Sequence, residues 1–236
     1  MKTGKLIGLL LILSSTGVFV PYTILTFTFN YPNILREETG LVLTRFHAGG
    51  SGLIFTWLAF ALLGSPLIIS SSLLGKQLEK HSKHIRWITT IGIAGVVVQM
   101  IGLLRWVFVV PVLANQYVSA LLPEERLTIV IAFKVMHQFA GVLLGEHLGQ
   151  LFTVLWTVFT TATLLKTGII SKWLAWWGFV ASFVYFLAQA DLLATVIPSF
   201  PLIENAGFIG STLWLIWLIL VGIDFLKKDQ FPGNSL

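Results

Sequence analysis

The residues of this chain that could do chemistry concentrate in one stretch, residues 134–156, which reads KVMHQFAGVLLGEHLGQLFTVLW. His137, Gly141, Gly145 and Gly149 recur at every fourth position, and on an α-helix residues so spaced form one continuous face. Because glycine has no side chain, this face lets a second helix or a flat ligand approach the helix backbone closely. The spacing therefore predicts either close helix packing or a flat cofactor beside His137.

Glu146 and His147 lie in the same stretch, but an α-helix would point them away from the face of His137. Glu146 is nine residues from His137, which at about 3.6 residues per turn is half a turn away around the helix axis. One α-helix cannot direct both side chains at the same small ion. A site built here therefore needs residues from other helices.

Further ionisable residues lie within or beside long apolar segments of the chain. Charged side chains at membrane depth are costly, and they usually face the interior of a helix bundle or a water-filled cavity, where they mark function. The candidate ligand-binding residues are Arg105, Glu146, His147, Lys134, Asp191 and Arg45. The candidate metal ligands are His137, His147 and His47.

These residue types fit three kinds of ligand. Imidazole and carboxylate groups suit a metal such as zinc, although the chain has no HExxH motif. Two histidines on different helices could hold a b-type haem, with Arg105 near a propionate. Arg105 and Lys134 could instead neutralise a lipid or a small anionic molecule, with Glu146 or a histidine as acid or base. The sequence leaves these alternatives open, and with them the question of whether the protein is an enzyme.

The composition predicts an integral membrane protein. Hydrophobic residues make up 56% of the chain and charged residues only 11%, whereas a soluble domain has about 25% charged residues. The absence of cysteine excludes disulfides and thiolate ligands. The basic pI of about 9.6 is explained by membrane topology below. The expected partners are therefore the lipid bilayer and a small-molecule or lipid ligand, and no nucleic acid.

Apolar segments of about 20 residues are long enough to span a bilayer as helices. We expect an all-α, polytopic membrane helix bundle that forms a single transmembrane domain over residues 1–236. Its six spans are predicted at residues 6–27, 47–74, 87–109, 141–165, 173–193 and 206–226.

An additional helix is predicted before the fourth span. Pro123, Glu124 and Glu125 are typical of the first turn of a helix. The 39 residues 127–165 would form a helix of about 58 Å, which is longer than one span. We therefore predict an external or re-entrant helix near residues 123–140.

The positive residues near the ends of the spans predict the orientation. Of the 15 Lys and Arg residues, ten fall on one side of the predicted spans and five on the other. Because cytoplasmic loops carry the excess of positive charge, both termini are predicted to be cytoplasmic. Arg105, eighteen residues after Trp87, then lies about 27 Å along its helix, near the outer edge of the hydrocarbon.

This orientation predicts a polar pocket near the outer leaflet. The start of span two, the ends of spans three and five, and residues 134–150 would form it. A small molecule, a metal or haem would be its ligand. The competing interpretation is a non-catalytic membrane sensor or partner protein, in which the polar cluster only locks helices together.

Four segments resemble a family of bacterial membrane proteins known as domain of unknown function 4386. They are YPNILREETGLVLTRFHAGGSGLI at residues 31–54, IGLLRWVFVVPVLA at 101–114, FAGVLLGEHLGQLFTVLWT at 139–157 and ISKWLAWWGFVASF at 170–183. The resemblance covers most of the chain and implies a multi-helix integral protein of the bacterial cytoplasmic membrane. It implies no activity, so no catalytic residue follows from it.

Overall fold

The structure, a computed structural model, describes residues 3–228, and these residues form helices and no strands. A 3₁₀ turn at Asn33–Arg36 follows the first helix, and π-helical turns at His137–Leu148 join α6 to α7. The α-helices are α1 Thr3–Phe29, α2 Thr39–Leu62, α3 Pro66–Leu78, α4 Ile85–Phe108, α5 Val110–Ser119, α6 Pro123–Met136, α7 Gly149–Lys166, α8 Lys172–Leu187, α9 Gln189–Ala194 and α10 Ala206–Lys227.

Within the described part of the chain, six helical runs are long and apolar enough to cross a membrane. They are Thr3–Phe29, Thr39–Leu78, Ile85–Ser119, Pro123–Lys166, Lys172–Ala194 and Ala206–Lys227. The predicted all-α fold with six apolar spans is therefore confirmed, and the chain is a multi-pass membrane protein.

The run Pro123–Lys166 joins the predicted external segment and the predicted fourth span in one continuous helix. It contains 44 residues, or about 66 Å at the α-helical rise, which is about twice the thickness of the hydrocarbon. The predicted helix start is confirmed, since Pro123 begins α6 and the Glu125 carboxylate accepts hydrogen bonds from the backbone N–H groups of Leu121 and Leu122.

The helices are grouped in two compact units. The first unit takes the residues up to Thr16, Gly64–Val97 and the residues from His147 onward. In it, α1 and α10 approach closely, since a β-carbon on Gly8 would lie 2.6 Å from the carbonyl oxygen of Gly222. The buried indole N–H of Trp217 donates to the carbonyl of Leu174 and so joins α10 to α8.

The second unit takes Gly17–Leu63 and Val98–Glu146, and its core is aromatic. The rings of Trp57 and Trp106 stack with their centroids 4.8 Å apart and 11° between their planes. Phe46 also stacks on Trp106, at 5.6 Å. Offset and edge-on aromatic pairs of this kind stabilise a core by about 0.5–1.5 kcal/mol each beyond the burial of their area.

Helix α2 bends inside the second unit at Gly50. This residue has φ 57° and ψ −154°, a backbone conformation that is essentially restricted to glycine. The run of small residues at 48–52 (AGGSG) is thus the place where α2 changes direction.

Candidate functional site

Arg105 lies in the last turn of α4 and is buried, with 7% of its surface exposed. Its Nη1 donates a hydrogen bond to the carbonyl of Gly102, and its Cζ lies 5.2 Å from the centre of the Trp106 ring. Its Nε is buried and has no hydrogen-bond partner among the described residues. The structure therefore holds a guanidinium group inside the second unit with part of its hydrogen-bonding capacity unused.

The glycine face of the 134–156 stretch packs on α4. A β-carbon on Gly141 would lie 2.6 Å from Nη2 of Arg105, and one on Gly102 would lie 2.6 Å from the α-carbon of Gly145. In the first unit, a β-carbon on Gly95 would lie 3.5 Å from the carbonyl oxygen of Gly149. Helix packing thus occupies this face, and Arg105 takes the position beside Gly141 where a flat cofactor was one of the predicted alternatives.

The segment His137–Leu148 is π-helical, which the sequence analysis did not predict. A π-helix closes i→i+5 hydrogen bonds, so each turn takes up roughly one residue more than an α-turn. Nine residues then make about two turns, and Glu146 comes close to the face of His137 instead of the opposite one. Arg105 lies close enough to both His137 and Glu146 for their charges to interact. The prediction that one helix cannot direct both side chains at the same small ion assumed α-helical spacing, which this segment does not have.

His137 is surrounded by aromatic rings. It stacks on Phe133 with the centroids 5.4 Å apart and 19° between the planes, and Trp106 meets it edge-on at 6.4 Å. Both ring nitrogens are buried and have no hydrogen-bond partner among the described residues. The imidazole is therefore packed like a core aromatic residue but keeps an unsatisfied donor and acceptor.

Glu146 is paired on one side only. Its Oε2 accepts a hydrogen bond from Nη2 of Arg36 at 3.0 Å, and the side chains are 20% and 33% exposed. Its Oε1 is buried and has no partner in the described chain. Sequence analysis did not single out Arg36, which lies in the 3₁₀ turn after α1; its place in the family-like segment 31–54 was the available signal.

The other predicted residues of the second unit lie at its surface. Arg45 and Lys134 are exposed. His47 is also exposed, and its Nδ1 lies 2.9 Å from Oδ1 of Asn115. These three residues are therefore more exposed than Arg105, His137 and Glu146.

The first unit holds the remaining two predicted residues, His147 and Asp191. Nδ1 of His147 lies 2.6 Å from Oε1 of Gln189, and Nε2 of Gln189 donates to Oε1 of Gln150 at 2.8 Å. Asp191 is half-buried in α9, two residues after Gln189. Gln150 was not predicted from the sequence, although a glutamine inside an apolar segment is itself a signal.

The described residues do not provide a set of ligands for a metal ion. Among residues 3–228 there is no group of three or more His, Asp or Glu side chains that could hold a metal ion. His47, His137 and His147, the three histidines predicted as metal ligands, each contact different residues.

Comparison with known proteins identifies the family of the chain. A family model described as "Domain of unknown function (DUF4386)" matches residues 6–222. The chain belongs to this family. The match confirms the resemblance inferred from the four segments. No curated protein and no solved structure matches the chain.

In this DUF4386 protein, the chemistry of the second unit is that of a partly satisfied charged cluster around Trp106. Besides Arg105, His137 and Glu146, the indole N–H of Trp57 is buried without a partner among the described residues. Leaving such a group unpaired costs about 1–3 kcal/mol, and buried polar groups in native proteins nearly always have a partner. The cluster thus has N–H groups and one carboxylate oxygen that are without hydrogen-bond partners among the described residues.

Proposed function

We propose that this protein binds a small anionic molecule or an anionic lipid headgroup at the cluster of Arg36, Arg105, His137 and Glu146. The proposed location is the outer leaflet of the bacterial cytoplasmic membrane, with both termini in the cytoplasm.

The observation that carries the proposal is the charge of the buried Arg105. No carboxylate of the described residues forms an ion pair with it, and the nearby Glu146 is engaged by Arg36. The cluster has two arginines against one glutamate, a net charge of one positive unit. A buried charge without a counter-charge is strongly unfavourable, and an anionic ligand would remove that penalty.

The position of Arg105 along α4 supports access from the outer face. Arg105 is twenty residues after Ile85, the start of α4, which corresponds to about 30 Å of helix. This is also about the thickness of the hydrocarbon core. With the basic end of α4 on the cytoplasmic side, as the distribution of Lys and Arg favours, the guanidinium lies at the depth of the outer headgroups.

The alternative is a sensor or partner protein in which the cluster is structural. Two contacts favour it: the close fit of Arg105 against Gly141, and the Arg36–Glu146 pair. In that case the cluster would hold α4, the π-helical segment and the turn after α1 together without a ligand.

A measurement of anion binding distinguishes the proposed ligand site from a purely structural cluster. Wild-type protein, Arg105→Gln and the control Arg45→Gln would be purified in lipid nanodiscs and examined by native mass spectrometry, and then by thermal shift with phosphate and with short carboxylates. We expect wild type and Arg45→Gln to bind an anion, and Arg105→Gln to bind it about tenfold more weakly or less. If an anion binds Arg105→Gln as tightly as wild-type protein, or if wild-type protein binds no anion, the proposed binding function is wrong. The cluster then has only the structural role.

A further inference from the structure

A second polar site lies in the first unit. Nδ1 of His147 contacts Oε1 of Gln189 at 2.6 Å, and Nε2 of Gln189 donates to Oε1 of Gln150 at 2.8 Å. The two glutamines are buried, with 7% and 8% of their surfaces exposed. His147 is half-buried, and its Nε2 has no hydrogen-bond partner among the described residues and is not among the fully buried polar atoms.

The orientation of the Gln189 amide indicates which ring nitrogen of His147 carries the hydrogen. The side-chain amide nitrogen of Gln189 donates to Gln150. The side-chain carbonyl oxygen of Gln189 therefore faces His147. A carbonyl oxygen only accepts, so the hydrogen in the 2.6 Å contact belongs to Nδ1 of His147. A neutral imidazole carries a single N–H, and Nε2 is therefore left with its lone pair.

The helical run that carries Gln189 tightens by one turn just before this residue. Helix α8 ends at Leu187 and α9 begins at Gln189, and the N–H of the intervening Ala188 bonds to the carbonyl of Tyr185. This interruption falls inside the candidate span Lys172–Ala194.

We infer that His147 is a second ligand-binding site, a base held in the Nδ1–H tautomer by Gln189 and Gln150. Its Nε2 accepts a hydrogen bond from a neutral, hydroxyl-bearing ligand. A histidine whose one nitrogen is fixed by an amide or carboxylate, while the other remains accessible, is the usual arrangement of a base or ligand in proteins. Gln189 is the positioning residue, and Gln150 fixes the orientation of its amide. The inference is independent of anion binding at Arg105.

The tautomer can be measured directly by ¹⁵N NMR of the full chain labelled at histidine, with His147→Gln used to assign the resonances. We expect Nδ1–H in wild-type protein. Gln189→Leu removes the acceptor and should return His147 to the Nε2–H form, whereas Gln189→Glu retains an acceptor and should preserve Nδ1–H. Wild-type protein in the Nε2–H form, or a tautomer that does not respond to Gln189→Leu, would overturn the inference. If Gln189→Leu fails to fold, Gln150→Leu is used in its place. The loss of the Gln150 side chain frees the Gln189 amide to rotate. His147 should then show a mixture of the two tautomers.

The ligand class is tested with phenol, a neutral hydroxyl donor, on the same sample. Titration should move the Nε2 resonance of His147 in wild-type protein and leave that of His81, an exposed residue in a turn, nearly unchanged. A His147 resonance that moves no more than that of His81 would rule out the hydroxyl-bearing ligand.

Discussion

Gly141 packs directly against the guanidinium group of Arg105. A β-carbon on Gly141 would lie 2.6 Å from Nη2 and 2.7 Å from Cζ of the arginine. The guanidinium is held between the backbone of the π-helical segment, the carbonyl of Gly102 and the ring of Trp106. The absence of a side chain at position 141 is therefore a requirement for the buried position of the charge.

The first prediction concerns Gly141→Ala. The new methyl group should push the guanidinium aside and weaken anion binding about as much as Arg105→Gln does. Because the displaced atoms are the end of a flexible side chain, the free energy of unfolding should fall by only about 1–2 kcal/mol.

Gly102→Ala is the matched comparison for Gly141→Ala. Its β-carbon would meet the backbone of Gly145 and Ala140 at 2.6–2.9 Å, and backbone atoms cannot move aside as a side chain can. The loss of stability should therefore be the larger of the two, about 3 kcal/mol. Chemical unfolding in detergent measures both, and equal losses would contradict the stated role of Gly141.

The second prediction concerns the bend in α2. Gly50→Ala places a side chain at φ 57° and ψ −154° and should lower the free energy of unfolding by about 1–3 kcal/mol. Gly52→Ala is the control, since a β-carbon there would have no neighbour within 4 Å and the helical backbone accepts alanine. That variant should be neutral or more stable by about 0.4–1 kcal/mol. If Gly50→Ala is as stable as Gly52→Ala, the bend is not a fixed feature of the fold.

The third prediction compares two ion pairs by double-mutant cycles. Arg36 and Glu146 are 3.0 Å apart with side chains 33% and 20% exposed, whereas Arg86 and Glu79 are 3.4 Å apart with side chains 74% and 38% exposed. Solvent screens exposed pairs, so Arg86–Glu79 should show a coupling energy of about 0–0.5 kcal/mol and Arg36–Glu146 about 1 kcal/mol. Neutral Gln variants and chemical unfolding give both values. A coupling for Arg36–Glu146 no larger than that for Arg86–Glu79 would argue against an ordered cluster.

The fourth prediction concerns topology. The chain has no cysteine, so Lys80→Cys and Glu204→Cys each introduce a unique label site. With both termini cytoplasmic, a membrane-impermeant maleimide should label position 204 in intact cells and position 80 only after the cells are opened. Labelling of both positions from the same side would contradict the proposed orientation and the outer-leaflet location of the Arg105 cluster.

The sequence was sufficient for the helical class and for the six long apolar helices. In lipid the backbone must satisfy its own hydrogen bonds, so a long apolar segment such as residues 206–226 has little choice but to form a helix; the structure has α10 at Ala206–Lys227. The start of α6 at Pro123 was also predictable, because proline and acidic residues act locally in a first turn. Local preference and length decide such features without reference to distant residues.

The composition of the charged cluster was predictable only in part. Arg105 and Glu146 stood out because charge is rare in apolar segments, but nothing in the sequence indicated that Arg36 would take Glu146 as its partner, 110 residues away. The π-helical turns at His137–Leu148 were equally hidden, since the same residues would fit an α-helix. That change of helical period alone alters which side chains share a face.

The amino-acid sequence thus determined by itself that this is a multi-pass helical membrane protein of the DUF4386 family, because hydrophobicity, length and family pattern are properties of the chain read locally. Only the tertiary structure decided that the glycine face receives Arg105 and α4, and that His147 contacts the buried Gln189, which in turn donates to Gln150. Those relationships depend on how separate helices pack, and packing is set by the fit of many side chains at once.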